Sequence, residues 1–414
     1  MGRIVTVVVF LAFGCTKEKE PVAEAAPPPK PAPAPAPKTL DQILARELAD
    51  SVGDEFINLG TRSVKVEAAG PVQVKPDAEK KVIELALPVG TQLPVQCFVY
   101  GAPIDAGATL ARSISQVKAR FTVAAVRVVA AEVVERSPAL FVELRYLVDS
   151  PAGKQAGQLK LAVFPDTASP VFCLHDEPGY TKSFQRITTR LASILARSAP
   201  PSGPATTYRT VSISTFNGAP VGFETVRFTK TDDGVKHITT ISTLLLPRSA
   251  SDWMAQDAAT ISDLDADGII SARRAVLVTN GEIQLNMLVT HNGGRLYTYN
   301  GTSSGKELAG SFKTKNPRGF ESDVLFSRAL KDQLLTDKVK QLEIEQYLPD
   351  LTPIAPTTFA VRRMSTGPRA VELATAQLKI LATVDESGDS DSTDLQLGPV
   401  TLHSERKFIE GTQE

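Results

Sequence analysis

Tyr208-Arg209-Thr210-Val211-Ser212-Ile213-Ser214 alternates apolar and polar side chains and runs on to Asn217-Gly218. Val221-Gly222-Phe223-Glu224-Thr225-Val226-Arg227-Phe228 alternates again and meets Asp232-Asp233-Gly234, after which Val235 to Leu246 returns. Period-two spacing puts every second side chain on one face, as in a half-buried strand. Asn-Gly and Asp-Gly between such runs signal tight hairpins, because these residues tolerate φ > 0. The stretch therefore predicts an antiparallel meander, and the rest of the chain is read from it.

Downstream, the pattern continues through Ile269 to Val278, Asn280-Gly281, Ile283 to Val289, Asn292-Gly293-Gly294 and Arg295 to Tyr299, with a further turn expected at Asn300-Gly301. Residues 321–336 break the rule: Val324, Leu325, Leu330 and Leu334/Leu335 predict an amphipathic helix. Strands resume at Leu342 to Tyr347, Phe359 to Arg363, Ala370 to Thr383 and Pro399 to Phe408. No self-similarity at a period of 20–50 residues marks a repeat solenoid.

Upstream, the Pro- and Ser-rich stretch 198–206 is the clearest internal boundary. Residues 39–197 mix both periodicities. Leu40, Ile43, Leu44 and Leu48 predict a helix with Asp41 in its first turn, and 106–120 and Phe184 to Leu195 predict two more. Between them lie alternating runs from Val64 to Val99, then Phe121 to Val134, Ala139 to Val148 and Gln158 to Phe164. The fold class predicted is α+β: a β-rich two-domain protein, with an N-terminal α+β domain (39–197) followed by an antiparallel curved sheet, half-barrel-like, with an inserted helix (206–414).

Composition excludes several partners. Lys and Arg number 45 against 46 Asp and Glu in 414 residues, a net charge of −1 that gives no general attraction for nucleic acid. Aromatics are scarce, with 17 Phe, 7 Tyr and one Trp, and leave few stacking platforms for bases.

Arg3 precedes a continuous apolar run, Ile4 to Phe13, which ends at Gly14-Cys15. This run is about half the length of a spanning helix and has the shape of a secretory signal. Leu11-Ala12-Phe13-Gly14-Cys15 resembles the lipobox of bacterial lipoprotein signals, with the usual Leu-Ala pair displaced by one position. The resemblance implies a signal peptide at 1–14, diacylglycerol on the Cys15 thiol and a lipid-anchored mature chain. Thr16, in place of the Asp that retains such proteins at the inner membrane, implies the outer membrane, facing periplasm or surface. An ordinary secretory signal is the alternative. Residues 15–38 are Pro- and Ala-rich, so a polyproline II spacer is expected, reaching roughly 50–70 Å. The hairpin-rich C-terminal half, including Asn217-Gly218-Ala219-Pro220-Val221-Gly222, resembles the periplasmic half-barrels of the LolA/LolB-like kind. That implies a curved sheet around an apolar groove, closed by the helix at 321–336.

Candidate chemistry is sparse. Asp263, Asp265, Asp267 and Ser271 match ligand positions 1, 3, 5 and 9 of a calcium loop around Gly268, giving a possible weak Ca2+ site. Position 12 is Arg274 in place of Glu, so the other reading is a tight turn whose Asp side chains cap backbone amides. The acidic run Asp385 to Asp394 reads as a solvated loop. Cys97 and Cys173 are the only thiols besides Cys15, and an oxidising compartment favours a disulfide over two buried thiols. Cys173 with His175 also permits a Cys–His nucleophile, and Gly301-Thr302-Ser303-Ser304-Gly305 has the G-x-S-x-G form of a nucleophile elbow but lacks a following helix. Four scattered histidines give no zinc spacing.

These readings converge on a lipid-anchored cell-envelope protein with a non-catalytic binding or scaffolding role, holding a lipophilic ligand or a partner protein. The alternatives are an envelope hydrolase using Ser303 or Cys173 and a structural subunit of an envelope assembly. No cofactor beyond Ca2+ and no nucleic acid is expected.

Overall fold

The computed structural model describes residues 46–48, 53–59, 62–151, 153–167, 169–198, 205–231, 234–376, 378–397 and 400–413. The signal-like run 1–14, Cys15, the linker to residue 38 and most of the helix expected over Leu40 to Leu48 lie outside it. Within 46–48 there is no helix; the Leu48 amide donates to Ser183 Oγ at 3.0 Å.

Among the described residues the chain is β-rich and forms three antiparallel sheets. The first is a hairpin of β1 (Gly53–Leu59) and β2 (Arg62–Ala68). The second holds β3 (Gln73–Asp77), β4 (Val82–Leu87), β5 (Val95–Tyr100), β6 (Thr122–Val134), β7 (Ser137–Ser150), β8 (Gly153–Phe164) and β9 (Val171–Asp176), in the order β3-β4-β5-β9-β8-β7-β6. Two helices accompany it, α1 (Ala106–Lys118) and α2 (Thr181–Ser198).

Alternation along β7 sorts its side chains into two cores. Ala139 and Phe141 join a cluster with Phe184, Ile187 and Leu191 of α2 and with Ile57 and Val64 of the first hairpin. Leu140, Val142 and Leu144 face the other way, onto Leu110 and Ile114 of α1. Both faces of β7 are covered, which is why its sequence reads as a nearly continuous apolar run.

The third sheet has fourteen strands: β10 (Ala205–Phe216), β11 (Ala219–Lys230), β12 (Lys236–Pro247), β13 (Trp253–Leu264), β14 (Ile270–Thr279), β15 (Glu282–His291), β16 (Leu296–Ser303), β17 (Lys306–Lys313), β18 (Gln341–Gln346), β19 (Thr357–Arg363), β20 (Ala370–Ala374), β21 (Lys379–Val384), β22 (Ser390–Leu397) and β23 (Val400–Gly411). Each run of consecutive strands pairs in sequence. β10 pairs with β23, which leaves β17 and β18 as the two edges. The sheet is curved and not closed. Leu244, Leu246 and Met254 from β12 and β13 share a core with Phe359, Val371 and Ile380 from β19 to β21, so distant strands face each other across the interior.

The edges meet through side chains. The Lys315 amide, just past β17, donates to Glu345 Oε2 of β18 at 2.6 Å, and the Phe312 and Tyr347 rings stack at 5.5 Å. Inside the curl lies the expected helix, α3 (Asp323–Ala329), which continues as a π-helical turn at Leu330–Leu334. Phe326, Leu330 and Leu334 fill the sheet interior.

Asn217-Gly218 and Asn280-Gly281 are hairpin turns, with φ of 51° and 77°, and of 52° and 86°. The turn expected at Asn300-Gly301 is displaced. Both residues lie inside β16, and the chain reverses at Ser304-Gly305, with φ of 48° and 74°. Gly301 serves close approach instead, because a Cβ there would overlap the Asn286 carbonyl of β15. The single run expected over Ala370 to Thr383 is two strands, β20 and β21, joined by a turn. Trp253 opens β13, and its ring packs against the cluster around α1.

The boundary at 198–206 separates the two large sheets, yet they share a core. Leu245 and Ala255, on the outer face of the curved sheet, pack with Leu110 and Leu140. No helix among the described residues is long and apolar enough to cross a membrane.

Candidate functional site: the cleft between the sheets

Alternation along β12 and β14 decides what lies outside the curl. Thr240, Ala275 and Leu277 line its interior, whereas Ile241, Val276 and Val278 line its outer side, with Val276 bordering both spaces. Those three, with Phe223, form the apolar floor of a cleft of about 750 Å³ between the two sheets. Its far wall is the β5–α1 connection, 101–105, and the β8–β9 turn around Asp166. The volume falls within the range of small-molecule sites.

The rim is charged. Arg209 of β10 stands directly opposite Arg227 of β11, which sets two cations side by side. Asp166 reaches both, with Oδ2 accepting from Arg209 Nη2 at 2.7 Å and Oδ1 lying 3.3 Å from Arg227 Nη1. Arg209 also donates to Ser137 Oγ at 3.2 Å, while its Nε is buried without a hydrogen-bond partner. Burial lowers the Arg209 pKa and Asp166 partly restores it, so one carboxylate serves two guanidinium groups. At this point of the rim two guanidinium groups share one carboxylate beside the apolar floor, and Asp105, Glu135 and Asp257 add carboxylates elsewhere along the lining.

The interior of the curl is different. Where the sequence predicts an open apolar groove, the side chains of α3 and its π-turn occupy much of the space; they leave a cavity of about 40 Å³ beside Arg273 and another of about 140 Å³ bordered by Phe228, Ile238, Leu264 and Val324. The first holds about three waters.

Cys97 and Cys173 are opposite one another on β5 and β9 and are joined by a disulfide. The Cys173 nucleophile is thereby corrected: its sulfur is bonded and fully buried, so it offers no thiolate. His175 lies two residues further along β9, with Nε2 at 3.2 Å from both Thr91 Oγ1 and the Leu93 carbonyl. Burial, with the Lys160 charge, pushes its pKa down to about 4. Ser303 closes β16 at a hairpin turn between antiparallel strands, opposite Lys306, and no helix follows it. The elbow geometry of the G-x-S-x-G string is absent there.

The Asp263–Asp267 stretch takes the form of the capped turn. Asp265 Oδ1 accepts the amides of Asp267 at 3.0 Å and Ile269 at 2.9 Å, and Gly268 has φ of 80°. Asp263 Oδ1 is 2.7 Å from His237 Nδ1, and Ser271 Oγ donates to the Asp263 carbonyl at 3.1 Å. Among the described residues no three His, Cys, Asp or Glu side chains gather as metal ligands. In the acidic run, Arg406 collects Asp385 at 2.7 Å, Asp389 at 3.2 Å and Asp391, so the run is a tied turn and not a loose solvated loop.

Sequence reading missed the cleft, since its residues come from nine separate segments. One signal was present: Arg209 and Arg227 are equidistant from the Asn217-Gly218 turn to within a residue, which in a hairpin makes them neighbours. No family model and no curated protein matches the chain. Among solved structures, it is similar to the crystal structure of a β-barrel-like protein of the domain of unknown function DUF1849 from Brucella abortus, over 50% of this chain and 99% of that one, at 10% identity and a TM-score of 0.37.

Proposed function

We propose that the protein is a lipid-anchored, non-catalytic binding protein of the cell envelope, whose cleft between the sheets receives a lipophilic ligand bearing an anionic head. The observation that carries the binding role is the cleft itself, about 750 Å³ with an apolar floor of Phe223, Ile241, Val276 and Val278 and arginines at its rim. The anchor rests on Cys15 and its lipobox-like surroundings, and Thr16 favours the outer membrane. The Cys97–Cys173 disulfide supports an oxidising compartment.

The test is made on full-length protein taken from the membrane fraction. Mass spectrometry of the organic extract should find an anionic amphiphile in stoichiometric amount, and Val276→Trp, which fills the floor, should remove it. Cys15→Ala should move the chain to the soluble fraction. A folded, membrane-derived sample carrying no amphiphile would overturn the ligand reading, and an unmodified Cys15 would overturn the anchor.

A further inference from the structure

Successive residues of a strand face opposite ways. On β14 this turns Arg274 to solvent and Arg273 into the curl, where it is 9% exposed. Its guanidinium carries five N–H donors. Nε donates to Ser262 Oγ at 2.9 Å and Nη1 to the Tyr347 carbonyl at 3.2 Å. Asp323, 7% exposed at the start of α3, lines the same cavity, and its Oδ1 is buried without a hydrogen-bond partner. Among the described residues the two make no ion pair with each other or with any other side chain.

A buried cation and a buried anion that face one space without touching each bear a desolvation cost, which contact would offset. Here the backbone of β14 and the start of α3 hold them apart. Whatever fills the gap must accept from Arg273 and donate to Asp323. The cavity is about 40 Å³, about three water-sized places. A carboxylate with one adjacent nitrogen fits that size and polarity; a hydrocarbon chain does not. Gln346, from β18, adds an amide to the same wall, and Asp350 adds a second buried carboxyl, which burial favours in its neutral form.

We infer that the interior of the curved sheet is a second binding site, separate from the cleft, for a carboxylate with a neighbouring N–H donor. That is the chemistry of an α-amino acid or of the C-terminal residue of a peptide. The carboxylate sits on Arg273 and the nitrogen donates to Asp323 Oδ1.

Calorimetry on the folded full chain tests this with alanine, N-acetylalanine and alaninamide, each at about 10 mM, a range that detects millimolar affinity. Binding of alanine or N-acetylalanine, with alaninamide silent, is expected. Alanine alone points to a free amino acid, and N-acetylalanine to a peptide terminus. Asp323→Asn, verified as folded by circular dichroism, should weaken the carboxylate ligand about tenfold, the loss of one charge-assisted hydrogen bond. Because Arg273→Met can fail to fold, Arg273→Lys is paired with it and should also weaken binding. The site is refuted if the folded parent binds neither carboxylate, which leaves ordered water as its occupant. Equal binding of alaninamide, or unchanged affinity in Asp323→Asn, overturns it as well.

Discussion

Asp257 of β13 accepts the Gly107 amide of α1 through Oδ1 at 2.8 Å, and the Ala108 amide through Oδ2, also at 2.8 Å. The first turn of α1 has no acidic residue, and its own N-cap, Asp105, makes no capping hydrogen bond. A helix start leaves amides without intrahelical partners, and here a carboxylate from the other sheet supplies them. Thr243 donates to the same Oδ1 at 2.7 Å. The arrangement has a counterpart in α2, where Glu47 accepts the amides of Lys182 at 2.9 Å and Ser183 at 2.8 Å.

Asp257→Ala should therefore loosen the junction of the two sheets. It strands two amides and a hydroxyl in a buried place, a loss of about 2–4 kcal/mol. Asp257→Asn keeps one acceptor and should lose less. Hydrogen exchange at Gly107 and Ala108 is the readout, and unchanged protection in the Ala variant would show that α1 is held by its apolar face alone.

The Cys97–Cys173 bridge closes a span of 76 residues, for which chain entropy gives about 4 kcal/mol. Both sulfurs are shielded, at 1% and 0% exposure. Mild reductant should leave the native bond intact and cleave it only when denaturant is added. The double variant Cys97→Ala/Cys173→Ala should fold with a clearly lower melting temperature. Rapid reduction of the native protein would mean that β5 and β9 open locally.

Two buried groups should give opposite pH slopes. The folded pKa of His175 lies at about 4, below its ordinary 6.5, so the unfolded chain takes up the proton first. Its contribution is complete above pH 6.5 and falls away toward pH 4, by about 3 kcal/mol in all. Burial raises Asp350 from 3.8 to about 7, so its contribution is complete below pH 3.8 and is lost as pH rises through 7. His175→Gln should gain stability relative to the parent as pH falls from 6.5 to 4. Asp350→Asn should gain as pH rises from 4 to 7. Urea midpoints across pH 4–8 separate the two, and a flat difference for either variant removes that group from the account.

The hairpins were legible because Asn217-Gly218 and Asn280-Gly281 carry their backbone geometry in their residue types. Asn300-Gly301 has the same letters and sits inside a strand, since Gly301 is required by the Asn286 carbonyl of a neighbour that sequence does not display. The capping carboxylates were invisible for a related reason: Asp257 lies 150 positions from the amide it accepts. Arg273-Arg274 did carry a signal. Two adjacent arginines in a strand cannot both face water when one face is buried. The helix at 321–336 was found from its apolar spacing, but whether its side chains border a groove or fill it depends on how tightly fourteen strands curl, and no local pattern encodes that curvature.

The helix that fills the curl is secured by a turn, and one glycine makes the contact possible. Asp385 Oδ1 accepts the amides of Ser387 at 2.8 Å and Asp389 at 3.0 Å, which folds the β21–β22 connection into a tight loop. Gly388, with φ of 83°, lies at its tip against the Ser327 carbonyl of α3, where any Cβ would overlap that oxygen. Just beyond this contact α3 widens, and the Leu335 amide reaches back five residues to Leu330 at 2.9 Å. Gly388→Ala adds a left-handed strain of about 1 kcal/mol and an overlap of about 1–3 kcal/mol. Gly305→Ala is the matched control, because its φ is 74° with nothing within 4 Å of the added Cβ. The control should lose only the strain, whereas Gly388→Ala should lose more and bind a dye for exposed apolar surface as Phe326 and Leu330 come loose. Equal destabilisation of the two variants would leave the turn without a role in seating the helix.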